Sequence, residues 1–260
     1  MEKVAENIYR IITPYKDIYT TVTVILTPCG AVIFDTASYR EDVEKTILPA
    51  LEALRVREED LKYIVISHDH GDHAGGLEWM AEAFPKAGIL SRSAALREKY
   101  GTVVRCPEDG EQILDTLQIV AVPGHSADSL CLLDTVTGTL ISGDSLQLYG
   151  IYGSGAWGAN VGMPVEHLEA IEKLRKMPVQ RILASHDYHP FGWLAEGGEA
   201  VAKYLDACPE ALCKILDAVT SHPEMEVEAL AEAYNTTSGL PTVSVRVFKA
   251  LRAAAQDGKI

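Results

Sequence analysis

The tightest constraint on this chain is one short segment. An uninterrupted apolar run, Tyr63-Ile64-Val65-Ile66, reads as a buried strand. It opens directly into Ser67-His68-Asp69-His70-Gly71-Asp72-His73-Ala74-Gly75-Gly76. Three histidines and two aspartates thus fall within six residues, although the whole chain of 260 residues holds only eight histidines. Imidazole nitrogen and carboxylate oxygen are the donors a zinc-like cation accepts. In an extended or turning loop His68 and His70 point the same way, because the side-chain period is two. Asp72 and His73 lie one turn further on, where they can serve a second ion. Gly71, Gly75 and Gly76 let the backbone pack close behind them.

The rest of the first half alternates strand and helix patterns. Thr20–Thr27 and Ala31–Phe34, joined by Pro28-Cys29-Gly30, read as a hairpin. Arg40–Leu54 has helical apolar spacing with a kink expected at Pro49, and Leu77–Phe84 reads as a helix. Ile119–Val122 is a strand; Leu130–Leu133 and Thr139–Ile141 form a second hairpin around Thr137-Gly138. Residues 148–162 are rich in glycine and aromatics without a period, which predicts a long loop of the kind that is either functional or disordered. Glu166–Lys176 is a helix and Arg181–Ala184 a strand. Helices are expected over Val201–Ala207, Glu210–Val219, Glu224–Tyr234 and Val243–Ala255, with Ser221-His222-Pro223-Glu224 as a capping box.

Three more positions gain meaning from this layout. His125 follows one strand in Pro123-Gly124-His125-Ser126, Asp144 follows another in Gly143-Asp144, and His186 follows a third in Ser185-His186-Asp187. Ligand sites in layered α/β folds sit at such strand ends.

The run His68-x-His70-x-Asp72-His73, followed by Gly124-His125, Gly143-Asp144 and His186, resembles the metallo-β-lactamase-fold hydrolase superfamily over roughly residues 1–200. The resemblance implies an α/β chain folded as a four-layer αββα sandwich (residues 1–200); the helices expected over 201–260 form an extension that separately resembles the start of a winged-helix module. It implies a dinuclear site for two divalent ions, zinc foremost, with manganese or iron as alternatives. His68, His70 and His125 would hold one ion; Asp72, His73 and His186 the other; Asp144 would bridge them. A hydroxide shared by the ions would attack a thioester, lactone or similar carbonyl ester, with Asp72 orienting it or accepting a proton. Asp35, in Phe34-Asp35-Thr36, matches the family's early Asp, which supports the metal loop from behind. A bridging carboxylate looks more like glyoxalase II, lactonases and RNA-processing phosphodiesterases than like true β-lactamases. The lactonase branch places a Tyr after that Asp, and Tyr149 and Tyr152 follow Asp144 here at a different spacing. Trp157 and Met163 are candidates to wall an apolar pocket. No counterpart of the basic glutathione-binding residues of glyoxalase II stands out. The alternatives are a phosphodiesterase or ribonuclease using the same ligands, and a single-iron sulfur dioxygenase.

Charge narrows the partners. With 23 Lys+Arg against 37 Asp+Glu the net charge is −14, which leaves no fold-wide basic field for nucleic acid. Residues 206–260 carry five Lys+Arg and eight Asp+Glu, so the extension is expected to be a cap over the active-site mouth or a homodimer surface. The expected partner is a small ester-like molecule. The five cysteines show no C-x-x-C spacing and are expected to be buried free thiols. The first residues, Met1-Glu2-Lys3-Val4-Ala5-Glu6, lack an apolar targeting core, and no apolar run reaches the ~18 residues that span a bilayer. The expected location is the cytoplasm.

Overall fold

A computed structural model describes residues 1–153 and 155–260; Ser154, inside the loop expected over 148–162, lies outside the described residues. Two sheets carry the chain. The first has seven strands in sequence order: β1 (Glu2–Lys3), β2 (Ile8–Tyr15), β3 (Ile18–Thr27), β4 (Gly30–Phe34), β5 (Leu61–Ile66), β6 (Gly88–Ser91) and β7 (Val104–Arg105). The second has six: β8 (Gln112–Ile113), β9 (Leu117–Ala121), β10 (Leu130–Asp134), β11 (Thr139–Gly143), β12 (Arg181–Tyr188) and β13 (Gly192–Glu196), ordered β13-β12-β11-β10-β9-β8. Strands β4 to β7 pair in parallel, as do β11 and β12; the other neighbours are antiparallel.

The layering follows from the period of two along each strand. On β4, Val32 and Phe34 point between the sheets, where they meet Ile119, Leu130, Leu132 and Ile141. Ala31 and Ile33 point the other way, towards Val43, Ile47, Leu51, Leu77 and Met80. These belong to α1 (Arg40–Asp42), a π-helical turn (Val43–Ile47), α2 (Leu48–Ala53), and, past α3 (Gly71–Ala74), to α4 (Leu77–Ala83); α5 (Ala94–Tyr100) adds Leu96. On β10, Leu130 and Leu132 face the first sheet, while Cys131 and Leu133 face α6 (Pro164–Arg175) and α7 (Gly198–Ser221) through Ile171, Leu174, Tyr204 and Leu205. Three apolar seams therefore separate four layers, the expected αββα sandwich.

A fourth seam belongs to the C-terminus. Leu212, Ile215 and Val219 of α7 pack with Leu230 and Ala231 of α8 (Val227–Thr237) and with Val247, Phe248 and Leu251 of α9 (Val245–Gln256). Ala159 and Val161 of the long loop complete that cluster. Burying each large apolar side chain contributes about 1.5–3 kcal/mol, so the helices and the loop stabilise each other.

Several local expectations change. Strand β2 is an addition: Arg10 breaks its apolar pattern, yet is only 4% exposed, held between the rings of Tyr19 (5.0 Å) and Trp193 (3.9 Å). The Pro49 kink takes the form of the π-helical turn, in which Leu48 N–H bonds back to Val43 O. Pro49 lacks a donor of its own, so the ladder loosens ahead of it. The two helices expected on either side of Pro209 are one helix, α7. Its buried stripe, Val201, Tyr204, Leu205, Cys208, Leu212, Ile215 and Val219, runs on past the proline and offsets the lost hydrogen bond. Because α7 extends to Ser221, the expected capping box does not form, and α8 starts later, at Val227. Cys131 and Cys208 are buried, with burial pushing the Cys131 thiol up to about 12, but Cys29, Cys106 and Cys213 are exposed; all five are free. Among the described residues no helix is long and apolar enough to cross a membrane.

Candidate metal centre

Four strands, β5, β9, β11 and β12, deliver the ligand candidates to a single edge. The turn after β5 carries His68, His70, Asp72 and His73, the last two on the short helix α3. His125 follows β9, and Asp144 directly follows β11. His186 lies inside β12, which runs on to Tyr188; the strand is longer than expected because Tyr188 pairs with Gly192 across a register shift.

The backbone is shaped for close approach. A methyl group at Gly75 would collide with Ser38 O, and one at Gly76 with Thr36 O. Gly71, expected to share that role, faces open space. Gly143 has φ +54°, and a Cβ there would lie 2.8 Å from Ser67 Cβ, so glycine lets β11 turn and present Asp144 beside the histidine loop.

Three groups of donor atoms emerge: His68, His70 and His125; Asp72, His73 and His186; and His68, His73 and Asp144, which straddles the first two. His70 Nδ1 lies 2.9 Å from His68 Nε2 and 3.0 Å from His125 Nε2. His186 Nε2 is 3.3 Å from Asp72 Oδ2 and 3.2 Å from Asp144 Oδ1. His73 Nε2 is 3.3 Å from Asp72 Oδ2 and 3.4 Å from Asp144 Oδ1, while Asp144 Oδ2 turns towards His125 Nε2 at 3.8 Å. Two donors at ~2.0–2.1 Å from one tetrahedral ion sit about 3.3 Å apart. The observed separations match that spacing.

Protonation points the same way. His125 Nδ1 donates to Asn160 O at 2.7 Å and His186 Nδ1 to Tyr19 O at 2.6 Å; a carbonyl can only accept. His73 Nδ1 donates to Asp35 at 2.7 Å. His68 Nδ1 donates to Ser67 Oγ at 3.0 Å, since that hydroxyl gives its own proton to Asp35 at 2.8 Å. Each of these imidazoles is thus pinned by its far nitrogen, and the near nitrogens converge. His73 Nε2 and Asp144 Oδ1 are buried without a hydrogen-bond partner. Converging lone pairs and an orphaned carboxylate oxygen fit divalent cations.

Charge divides the cluster. Burial pushes His68 well below the ordinary imidazole range and takes His125 to about 4, so both offer free lone pairs at neutral pH. Burial opposes a proton on His186 as well, but the carboxylates of Asp144 and Asp72 beside its Nε2 raise it to about 9. Burial likewise opposes ionisation of Asp144, yet His186 and His73 hold it well below the usual carboxylate range.

Asp35 is the brace behind this edge. It is fully buried, stands at φ +66°, and accepts from Ser67 N at 2.7 Å, Ser67 Oγ and His73 Nδ1. Next to it Thr36 donates twice to His73 O, from N at 2.7 Å and from Oγ1 at 2.9 Å.

A cavity of about 280 Å³ opens over the donors. Besides His70, Asp72, His125, Asp144 and His186 it is lined by Tyr188, Gln147, Asn160, Trp157 and the β2–β3 hairpin tip. Trp157 walls it as expected; Met163 is not among its lining residues. Tyr149 and Tyr152 are also absent from the lining: both pack against His189, Lys214 lies 4.4 Å over the Tyr149 ring, and Tyr152 is 44% exposed. Two other phenols line the cavity: Tyr15 at the hairpin tip, and Tyr188, which is buried, with Gln147 Nε2 donating to its oxygen at 3.0 Å. Its signal was present in the sequence: Tyr188 stands two residues after His186, on the same side of β12.

The C-terminal helices reach this site through backbone. Arg246 of α9 donates to His125 O at 3.0 Å, Gly158 N bonds Thr242 O at 2.9 Å, and Gly162 N and Met163 N both bond Gly124 O at 2.9 Å. The other cations of 206–260 are engaged too. Lys214 sits on Tyr149, Lys249 pairs with Glu228, Arg252 donates to Met225 O and His222 O, and Lys259 pairs with Asp257. Among the described residues the segment 201–260 consists of the rest of α7 followed by α8 and α9.

A family model described as the metallo-beta-lactamase superfamily matches residues 15–186. A hydroxyacylglutathione hydrolase of Vibrio campbellii is 27% identical over 144 residues, 54% of this chain and 53% of that protein. One of Cupriavidus taiwanensis is 30% identical over 165 residues, 57% of this chain and 60% of that protein. The chain therefore spans about half the length of the curated relatives it matches. A solved metallo-beta-lactamase family protein from Thermus thermophilus superposes with a TM-score of 0.66 at 17% identity, over 98% of this chain and 95% of that one.

Proposed function

Because the chain belongs to the metallo-beta-lactamase superfamily, with the family match running from residue 15 to 186, we propose that it is a dinuclear metal hydrolase of thioesters, lactones or similar carbonyl esters. The observation that carries this reading is the pinned donor set, in which the near nitrogens of His68, His73, His125 and His186 meet the carboxylates of Asp72 and Asp144. His68, His70 and His125 would hold one ion, Asp72, His73 and His186 the other, and Asp144 would face both. When bound, the ions supply a water ionised near neutral pH and positive charge opposite the developing oxyanion.

The chain's own groups do the rest. Asp72, at the rim of the cavity, is placed to accept a proton from attacking water. The Tyr188 hydroxyl, oriented by Gln147, is placed to donate to a substrate oxygen. Trp157 and Ile151 supply the apolar walls that exclude water. The two curated relatives described above are named for a glutathione thioester, which supports carbonyl chemistry at a thioester for this chain. Engagement of all five cations of 206–260 speaks against the phosphodiesterase alternative, and the three C-terminal helices act as the cap that holds the loop and His125. We assign residues 1–200 to the hydrolase sandwich and 201–260 to that cap.

A rate panel tests the reading. Metal-loaded protein is offered a neutral thioester, an acyl lactone and a phosphodiester. Turnover of the thioester or lactone at least tenfold faster than the phosphodiester is expected; the reverse order would replace carbonyl by phosphoryl chemistry.

A further inference from the structure

We infer that Lys16 is a specificity-determining residue that selects substrates carrying a carboxylate or comparable anion away from the scissile carbonyl. The inference rests on the hydrolase reading and adds the charge of the substrate to it.

Lys16 sits at the tip of the β2–β3 hairpin. Tyr15 pairs with Ile18, so Lys16 and Asp17 form a two-residue turn, and Lys16 occupies its first position with φ +51°. That position in such turns favours glycine, because a Cβ is strained there. A side chain on a position that favours none calls for a purpose, and its location supplies one. Lys16 lines the same cavity as His70, Asp72, Asp144 and His186, and it is the one lysine or arginine in that lining among the described residues.

The side chain is held without being neutralised. Its ammonium lies 4.9 Å from the Tyr15 ring centroid and 4.8 Å from that of Trp157. Two aromatic faces steady a cation while leaving its donors for a ligand. Among the described residues no carboxylate pairs with it. Trp157 is tied in turn, its Nε1 donating to Asp17 Oδ1 at 2.8 Å, so the hairpin tip and the long loop form one rim. Asp109, Glu111 and Glu196, by contrast, each pair with a cation elsewhere on the surface. On a chain of net charge −14, a cation over the cavity that no carboxylate pairs with gives an approaching anion a favourable contact at the mouth.

The anion can lie on the acyl side or on the thiol side of a thioester, and the test separates the two. One pair of substrates differs only in the acyl end, a succinyl against a butanoyl thioester of the same neutral thiol. The other differs only in the thiol end, an acetyl thioester of 3-mercaptopropionate against that of its methyl ester. Wild type is expected to favour the anionic member of one pair about tenfold in kcat/KM. Lys16→Gln should erase the preference by raising KM for that member, leaving kcat and the neutral substrates within twofold. Lys16→Glu should invert it. Binding reads the same contact without turnover: by calorimetry on metal-loaded protein, one of the dicarboxylates of three to six carbons should bind at least fivefold tighter than butyrate, and Lys16→Gln should abolish the difference. An equal preference in Lys16→Gln and wild type, or an equal loss on charged and neutral substrates, overturns the inference while the hydrolase reading stands. Absence of carbonyl turnover in wild type overturns the hydrolase reading; the calorimetric comparison still decides on Lys16.

Discussion

Asp144→Ala is expected to lower carbonyl hydrolysis by about 10³-fold or more while the protein stays folded. The size follows from the position. Asp144 turns one oxygen to His73 and His186 and the other towards His125, so it is the residue whose loss disturbs both donor groups at once. The retained fold follows from its place: Asp144 lines the cavity and belongs to none of the apolar seams that hold the layers together. Circular dichroism and a melting curve of the metal-free variant should overlay those of metal-free wild type, within a few degrees. His125→Ala should behave alike in rate, with selective loss from the group it shares with His68 and His70. Full activity in either variant would contradict the assignment.

Asp35→Ala is expected to have the largest effect on stability. Three buried donors lose their acceptor together: Ser67 N, Ser67 Oγ and His73 Nδ1. Each buried group left unsatisfied costs about 1–3 kcal/mol, so a total near 3 kcal/mol or more is expected. Alanine also tolerates φ +66° less well than aspartate. Metal affinity should fall about 10–100-fold, because the His73 ring is no longer pinned. Asp35→Asn separates the two effects. Asparagine keeps the left-handed backbone, and its one amide oxygen can still accept from Ser67 N, so part of the stability should return while the affinity loss persists. Denaturant midpoints on metal-free protein and competition with a chromogenic chelator measure them independently. A variant with wild-type midpoint and affinity would remove Asp35 from its role as brace.

How much of this was legible in the sequence depends on the length scale of each signal. The edge of the sandwich was legible, because apolar strands ending in His or Asp leave a local mark: Ile64-Val65-Ile66 before His68, Ile119-Val120 before His125, Leu140-Ile141 before Asp144. Asp35 was legible only through the family resemblance; its bonds to Ser67 and His73 span 32 and 38 residues and have no local pattern. Strand β2 was hidden by Arg10, whose burial depends on Trp193 far along the chain. The substrate side was least legible. Tyr149 and Tyr152 were the natural candidates by nearness to Asp144, yet the loop turns them towards His189 and Lys214. Tyr188 and Lys16 reach the cavity because β12 runs two residues past His186 and the β2–β3 hairpin folds over the edge. Pro209 misled in the opposite direction: a break between two helices was expected, but a continuous buried stripe outweighed one missing hydrogen bond.

The central claim is a two-ion site held by His68, His70, Asp72, His73, His125, Asp144 and His186. The most direct measurement is metal content per chain, by elemental analysis after loading with zinc, manganese or ferrous iron and removal of unbound metal. Two equivalents per chain are predicted for wild type, falling towards one in His125→Ala. A single equivalent in wild type, retained only as iron, would contradict the two-ion account and point to the oxygen chemistry of a mononuclear iron site.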